Sequence, residues 1–218
     1  MKLSYAICVC NESRDLFSLV SFLLKVKDEE DEITILIDTT HVTENVKNVI
    51  RYFGDKIETC ERDFDGNFAE HRNYHITQCK GDYIFMIDPD EMPKENLIVN
   101  IKKMIHDSGA ELIMVPRINI CPGFTQEWLE KCKFITNDLD WINWPDYQGR
   151  IFKNDENIKW SRGLHEVVSG TSKIVQLQAD PKISLWHIKS IEKQDNRWDN
   201  KGNYKVPESN DNLYDTLM

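Results

Sequence analysis

Apolar positions in the first 117 residues recur at two alternating spacings, and that alternation predicts βαβ units around a mainly parallel sheet. Ser4 to Cys10 is a short apolar run, and Leu16, Leu19, Val20 and Leu23 follow at helical spacing, so a strand feeds a helix. Ile33 to Ile37 predicts a second strand, and Val42, Val46, Val49, Ile50 and Phe53 mark one face of the helix after it. Ile57 to Cys60 is short enough for an edge strand. Tyr83 to Ile87 is apolar throughout, as a strand covered on both faces must be. Pro93 then suits the first turn of a helix whose buried face is Leu97, Ile98, Ile101, Met104 and Ile105, and Glu111 to Pro116 closes the series as a strand.

From Arg117 the period breaks. Pro122, Gly123, Trp128, Trp141, Trp144 and Pro145 predict a helix-containing excursion over the sheet. Short strands are expected at Gly149 to Lys153, Leu164 to Val168, Ile174 to Gln178 and Ile183 to His187. The last 30 residues are polar, and residues 191–218 read as a loosely packed tail with Trp198, Tyr204 and Tyr214 as anchors.

Composition narrows the picture. A chain of 218 residues with 40% hydrophobic and 29% charged side chains has enough apolar material for one domain, placed at 1–190. The formal net charge of −10 argues against a surface that grips nucleic acid through its phosphates, which leaves nucleic acid a role only as an acceptor of chemistry. No run is long enough to span a bilayer as a helix, and the apolar start at Met1 to Cys10 lacks a signal-peptide cleavage site, so a cytoplasmic protein is expected. The six cysteines contain no C-x-x-C pair and read as reduced, mostly buried residues.

In an open α/β sheet, ligands bind beyond the carboxyl ends of the strands. Those ends carry Asn11-Glu12, Asp38-Thr39-Thr40 and Asp88-Pro89-Asp90-Glu91. Three carboxylates on four residues repel one another unless a cation sits among them, and hard oxygen ligands suit Mg²⁺ or Mn²⁺. A solvated acidic turn at a helix start is the plainer reading of the same residues. The stretch Phe64 to Ile76 predicts a loop feeding a helix with Phe68, Ile76 and Cys79 on its apolar stripe, and Arg72 falls on that stripe. A buried arginine needs an anion, either an aspartate such as Asp88 or a phosphate.

The ordered set of strand-end Asn11-Glu12, strand-end Asp38, Phe68-Ala69-Glu70-His71-Arg72-Asn73 and Gly81 to Glu91 resembles family 2 glycosyltransferases of the GT-A fold. The resemblance covers about residues 3 to 190 and is tightest from Phe68 to Glu91. It implies a single α/β domain with helices on both faces of the sheet and a smaller β region on the acceptor side. Residues 1–117 would be the nucleotide-sugar half and 118–190 the acceptor half. It implies Asp88 and Asp90 as a metal-binding DxD, with Asn11, Glu12, Asp38, Arg72 and Asp88 around the nucleotide-sugar. Gln148 to Lys153 and Gly163 to Glu166 resemble further segments of one branch, which implies Glu166 as catalytic base and His187 as a third metal ligand. The expected cofactor is Mn²⁺ or Mg²⁺, the donor a UDP-sugar, and the acceptor a hydroxyl on a saccharide, lipid, protein or hydroxymethylated DNA base. A single displacement would invert the anomeric centre. Thr39, Thr40 and His41 replace the Ser/Gly-rich turn usual after the second strand, so base preference does not carry over. A nucleotidyltransferase would want a glycine in the turn after the first strand, which Asn11 to Arg14 lacks. A degenerate sugar-binding module would have lost the DxD.

Overall fold

A computed structural model describes residues 1–197, 204–210, 213 and 215, so Trp198 and Tyr214, two of the expected anchors, lie outside the described residues. The chain runs β1 (Leu3–Val9), α1 (Ser13–Val26), β2 (Glu32–Asp38), α2 (Glu44–Phe53), β3 (Glu58–Arg62), α3 (Phe68–Ile76) and β4 (Tyr83–Ile87). It continues with β5 (Glu91–Pro93), α4 (Glu95–Ser108), β6 (Leu112–Ile120), α5 (Gln126–Cys132) and β7 (Ile142–Lys153). The last elements are β8 (Lys159–Ser161), β9 (Val167–Ser169), β10 (Ile174–Gln176), β11 (Leu185–Ile188) and α6 (Ile191–Asp195).

The large sheet has the order β3-β2-β1-β4-β7-β6-β11-β5, with β10 also pairing β6. β1 pairs parallel with β2 and β4, as do β2 with β3 and β6 with β10 and β11. Only β7, set between β4 and β6, and the short β5 run antiparallel. The mainly parallel α/β architecture expected from the apolar pattern is therefore present. β8 and β9 form a separate two-stranded ribbon.

Alternate residues of β1 show how the sheet is covered. Leu3, Tyr5, Ile7 and Val9 join a core that includes Leu16, Leu19, Leu23, Leu97, Ile101 and Ile105, from α1 and α4. Ala6 faces the other way, into a smaller core with Ala69, Ile84, Met86, Phe152 and Trp160. The period of two thus places helices on both faces. Thr43, Asn67 and Thr125 cap α2, α3 and α5 by accepting backbone N–H bonds, each cap contributing about 1 kcal/mol.

Three boundaries differ from the sequence expectation for physical reasons. Pro93 is not in α4: it ends β5, an edge strand paired with β11, where a missing N–H costs nothing, and the helix begins at Glu95. The strand expected to stop at Pro116 continues to Ile120, because Pro116 falls in the gap between β10, which pairs residues 112–114, and β11, which pairs 117–120. Leu164 to Glu166 form a turn before β9 rather than strand, with His165 at φ 52°.

Candidate active site

The chain winds outward from β1 in both directions, to β2 on one side and β4 on the other, and such a reversal opens a crevice beyond the strand ends. A cavity of about 400 Å³ lies there, and Glu12, Asp38, Arg72, Asp88, Asp90, Glu166 and His187 all line it. Seven residues spread over more than 170 positions of sequence thus meet in one place. Asn11, expected among them, is not in the lining; its amide donates to the Pro207 carbonyl at 2.9 Å.

Arginines organise the Asp88 side. Arg72 Nη2 donates to Asp88 Oδ1 at 2.8 Å and Arg72 Nε to Glu166 Oε1 at 2.9 Å, while its guanidinium stacks 4.9 Å from the Trp160 ring centre. Arg150 Nη2 reaches Asp88 Oδ2 at 2.5 Å and Glu91 Oε1 at 2.6 Å, and Arg117 joins Glu91 at 2.8 Å to Asp146 at 2.6 Å. Burial pushes the Asp88 carboxyl up, but Arg150 and Arg72 outweigh it and hold the group well below the usual carboxylate range. Glu91 is fully buried and also receives the Asp88 N–H, so the third carboxylate of the acidic cluster is a framework residue. The cations that relieve this cluster include Arg150 and Arg117. Arg117 and Asn119 alternate with apolar residues along β6, so a period-two reading of that strand would have found both.

Asp90 has different company. Its Oδ2 lies 2.9 Å from Lys193 Nζ and 3.5 Å from His187 Nε2. Burial raises its carboxyl, yet the Lys193 ammonium holds it well below the ordinary value. Asn119 spends its Nδ2 on Ile142 O and Asp146, so its Oδ1 accepts from His187 Nδ1 at 2.7 Å, which leaves the lone pair on Nε2 facing Asp90. Burial pushes the His187 pKa down to about 4, so the ring is neutral. Among the described residues no group of three or more His, Cys, Asp and Glu converges as a complete metal cage. Asp90 and His187 nonetheless offer one oxygen and one oriented nitrogen side by side, which suits a small divalent cation that fills its shell with water and phosphate. Asp88, held on both oxygens by arginine, stands behind them.

Glu166 is placed by the turn before β9. The Gly163 carbonyl accepts the Phe68 N–H at 3.0 Å, fastening that turn to the start of α3, one helical turn from Arg72. Glu166 Oε2 has no hydrogen-bond partner among the described residues, and the side chain is 16% exposed to the cavity. Asp146, by contrast, accepts from Arg117, Asn119 and Gln148 and has no oxygen to spare. On the nucleoside side, Asp38 accepts from the Thr40 and Phe64 N–H groups and from His41 Nδ1, so it shapes the pocket more than it reaches out of it. Glu12 folds back onto the Cys10 and Asn11 N–H groups through Oε2.

The loosely packed tail expected after residue 190 is fixed to the domain at several points where it is described. Lys193 and Asn210 are buried, Tyr204 stacks edge-on against Phe68 with ring centres 4.8 Å apart, and Lys189, Lys193, Tyr204 and Pro207 line the cavity. Of the six cysteines, all free thiols, Cys79 and Cys121 are buried, whereas Cys8, Cys10, Cys60 and Cys132 are only partly so. No helix among the described residues is long and apolar enough to cross a membrane.

Comparison with known proteins agrees with this geometry. Glycosyltransferase GlyG of Streptococcus pneumoniae is 24% identical over 115 residues, which is 51% of this chain and 38% of that protein. Crystal structures of S. aureus TarS 1-349 in complex with UDP-GlcNAc and with UDP superpose with TM-scores of 0.59 and 0.58 at 15% and 14% identity. They cover 87% and 88% of this chain but 59% and 62% of TarS 1-349, so the chain spans less than two thirds of both relatives named first, and the shared feature is the GT-A fold. A sequence model of glycosyl transferase family 2 matches residues 4–172, the stretch that contains nearly all of β1, Asp88-Pro89-Asp90, Arg72 and Glu166, and the chain belongs to that family.

Proposed function

We propose that the chain is the catalytic unit of a metal-dependent glycosyltransferase that moves a sugar, with inversion, from a UDP-sugar to an acceptor hydroxyl. One observation carries the reading: Arg72 bridges Asp88 of the DxD to Glu166 with bonds of 2.8 and 2.9 Å, tying the donor end of the cavity to a glutamate whose other oxygen has no protein partner among the described residues. TarS, which shares the fold, has been solved with UDP-GlcNAc and with UDP, which supports a nucleotide-sugar in the same crevice.

As the anomeric bond breaks, negative charge gathers on the leaving diphosphate, and fixed positive groups in a closed site stabilise it far better than water does. A divalent cation held by Asp90 and His187 would supply part of that charge. Asp88 orients Arg72 and Arg150. Glu166 Oε2 would take the proton from the acceptor hydroxyl as the hydroxyl attacks the face opposite the diphosphate, a contribution of about 10² to 10⁴ in rate. Asp146, whose oxygens already accept from Arg117, Asn119 and Gln148, is the weaker candidate for that role. A thermal-shift panel of UDP-, GDP-, CMP- and dTDP-sugars with Mn²⁺ tests the reading: UDP-sugars should raise the melting temperature most, and no response to any nucleotide-sugar would contradict it.

A further inference from the structure

The segment that follows β11 brings Lys189, Lys193 and Arg197 to the wall of the cavity, beside Asp90. Three cations in one wall repel one another, and a fold keeps such a group only where an anion relieves it. Lys193 and Lys189 differ in how far they are relieved. Asp90 takes Lys193 at 2.9 Å, while Lys189 Nζ has no carboxylate within ion-pair distance among the described residues. Lys189 is nevertheless held in place: its N–H donates to Ile120 O at 3.0 Å, and Ser190 beside it caps α6 by accepting the Lys193 N–H at 3.0 Å. Fully buried Asn210 ties the same stretch down by donating to Ile188 O at 2.9 Å. An unpaired cation on a fastened backbone, aimed into a cavity, is arranged for a ligand and not for the fold.

We propose that Lys189 and Lys193 form a clamp for the diphosphate of the donor, which makes the polar C-terminal segment part of the donor site. The inference rests on reading the cavity as that site. Two neighbouring phosphates need positive charge at two points, and lysine ammonium groups are compact charges with three donors each, suited to phosphate oxygens that reorient as the bond breaks. The Lys193 bond to Asp90 holds that charge at the site until phosphate arrives. The clamp also gives the protein affinity for the β-phosphate that does not depend on metal.

Titration calorimetry of UMP and UDP into the full chain in excess EDTA measures that affinity. The native protein should bind UDP at least about tenfold tighter than UMP, and the Lys189→Met, Lys193→Met double variant should shrink the margin to within about threefold. Lys189→Met alone, which breaks no ion pair, should lose part of the margin, and it decides the matter if the double variant does not fold. A margin kept intact in the variant that folds, or absent in the native protein, overturns the clamp. Failure of the donor reading looks different: neither nucleotide would bind the native protein even with Mn²⁺ restored.

Discussion

The two aspartates of the DxD sit two residues apart and live in different electrostatic regions. Asp88 faces Arg72 and Arg150, which also hold Glu166 and Glu91, and each of those two guanidinium groups is shared between two carboxylates. Asp90 faces a lysine and a neutral histidine on a C-terminal segment that has cation to spare. Arginine's planar fork fixes geometry, whereas lysine's single charge can change partners. The arginine side is therefore framework, and the lysine side is where the proposed donor would exchange.

Breaking the framework should have the largest effect. Arg150 is 5% exposed and lies between Asp88 and Glu91, so Arg150→Ala leaves the buried Glu91 and the partly buried Asp88 short of a partner and should cost about 3 kcal/mol. Denaturant unfolding followed by circular dichroism checks it. Next comes the base: Glu166→Gln keeps the shape and the bond from Arg72 but removes the proton acceptor. Single-turnover transfer should slow by at least about 100-fold with nucleotide affinity near native. A loss of a few-fold would remove Glu166 from the mechanism.

How far the sequence led follows the same division. Every strand of the parallel half was legible because β1, β2 and β4 are buried on both faces, and burial leaves an apolar run that periodicity detects. Arg72 was legible for the inverse reason, a charge on an apolar stripe. Glu91 was misleading: beside Asp88 and Asp90 it read as a third carboxylate of a metal cluster, but the chain turns it into the interior toward Arg117 and Arg150, partners 26 and 59 residues away. Pairings at that distance leave no local pattern. The C-terminal segment misled most, since residues that are polar because they line a cavity look the same in sequence as residues that are polar because they face water.

A smaller effect lies in the acid stability of the smaller core. His75 is fully buried between Thr34 and Cys8, and burial pushes its pKa down to about 3. A histidine whose folded value is depressed favours the neutral form, so its contribution is complete above its unfolded value near 6.5 and is lost as pH falls toward the folded value. His71 and His187, each pushed down to about 4 by burial, act in the same direction. Stability should fall between about pH 6.5 and 4, and His75→Gln should flatten that slope by about one proton, or roughly 1.4 kcal/mol per pH unit. An unchanged slope would place the ring in water. The smallest effect serves as a control on the arginine framework: Arg51 pairs with Glu44 at 2.6 Å, but both are more than 60% exposed, so Arg51→Ala should shift stability by no more than about 0.5 kcal/mol.

The central claim is that the crevice beyond β1 and β4 takes a nucleoside diphosphate through Asp90. Calorimetric titration of UDP with Mn²⁺ into the native protein and into Asp90→Asn tests it most directly. The native protein should bind with an affinity that Mn²⁺ raises at least about tenfold over EDTA, and the variant, still folded, should show no such gain. An equal metal-dependent gain in Asp90→Asn, or no binding of UDP by the native protein, would contradict it.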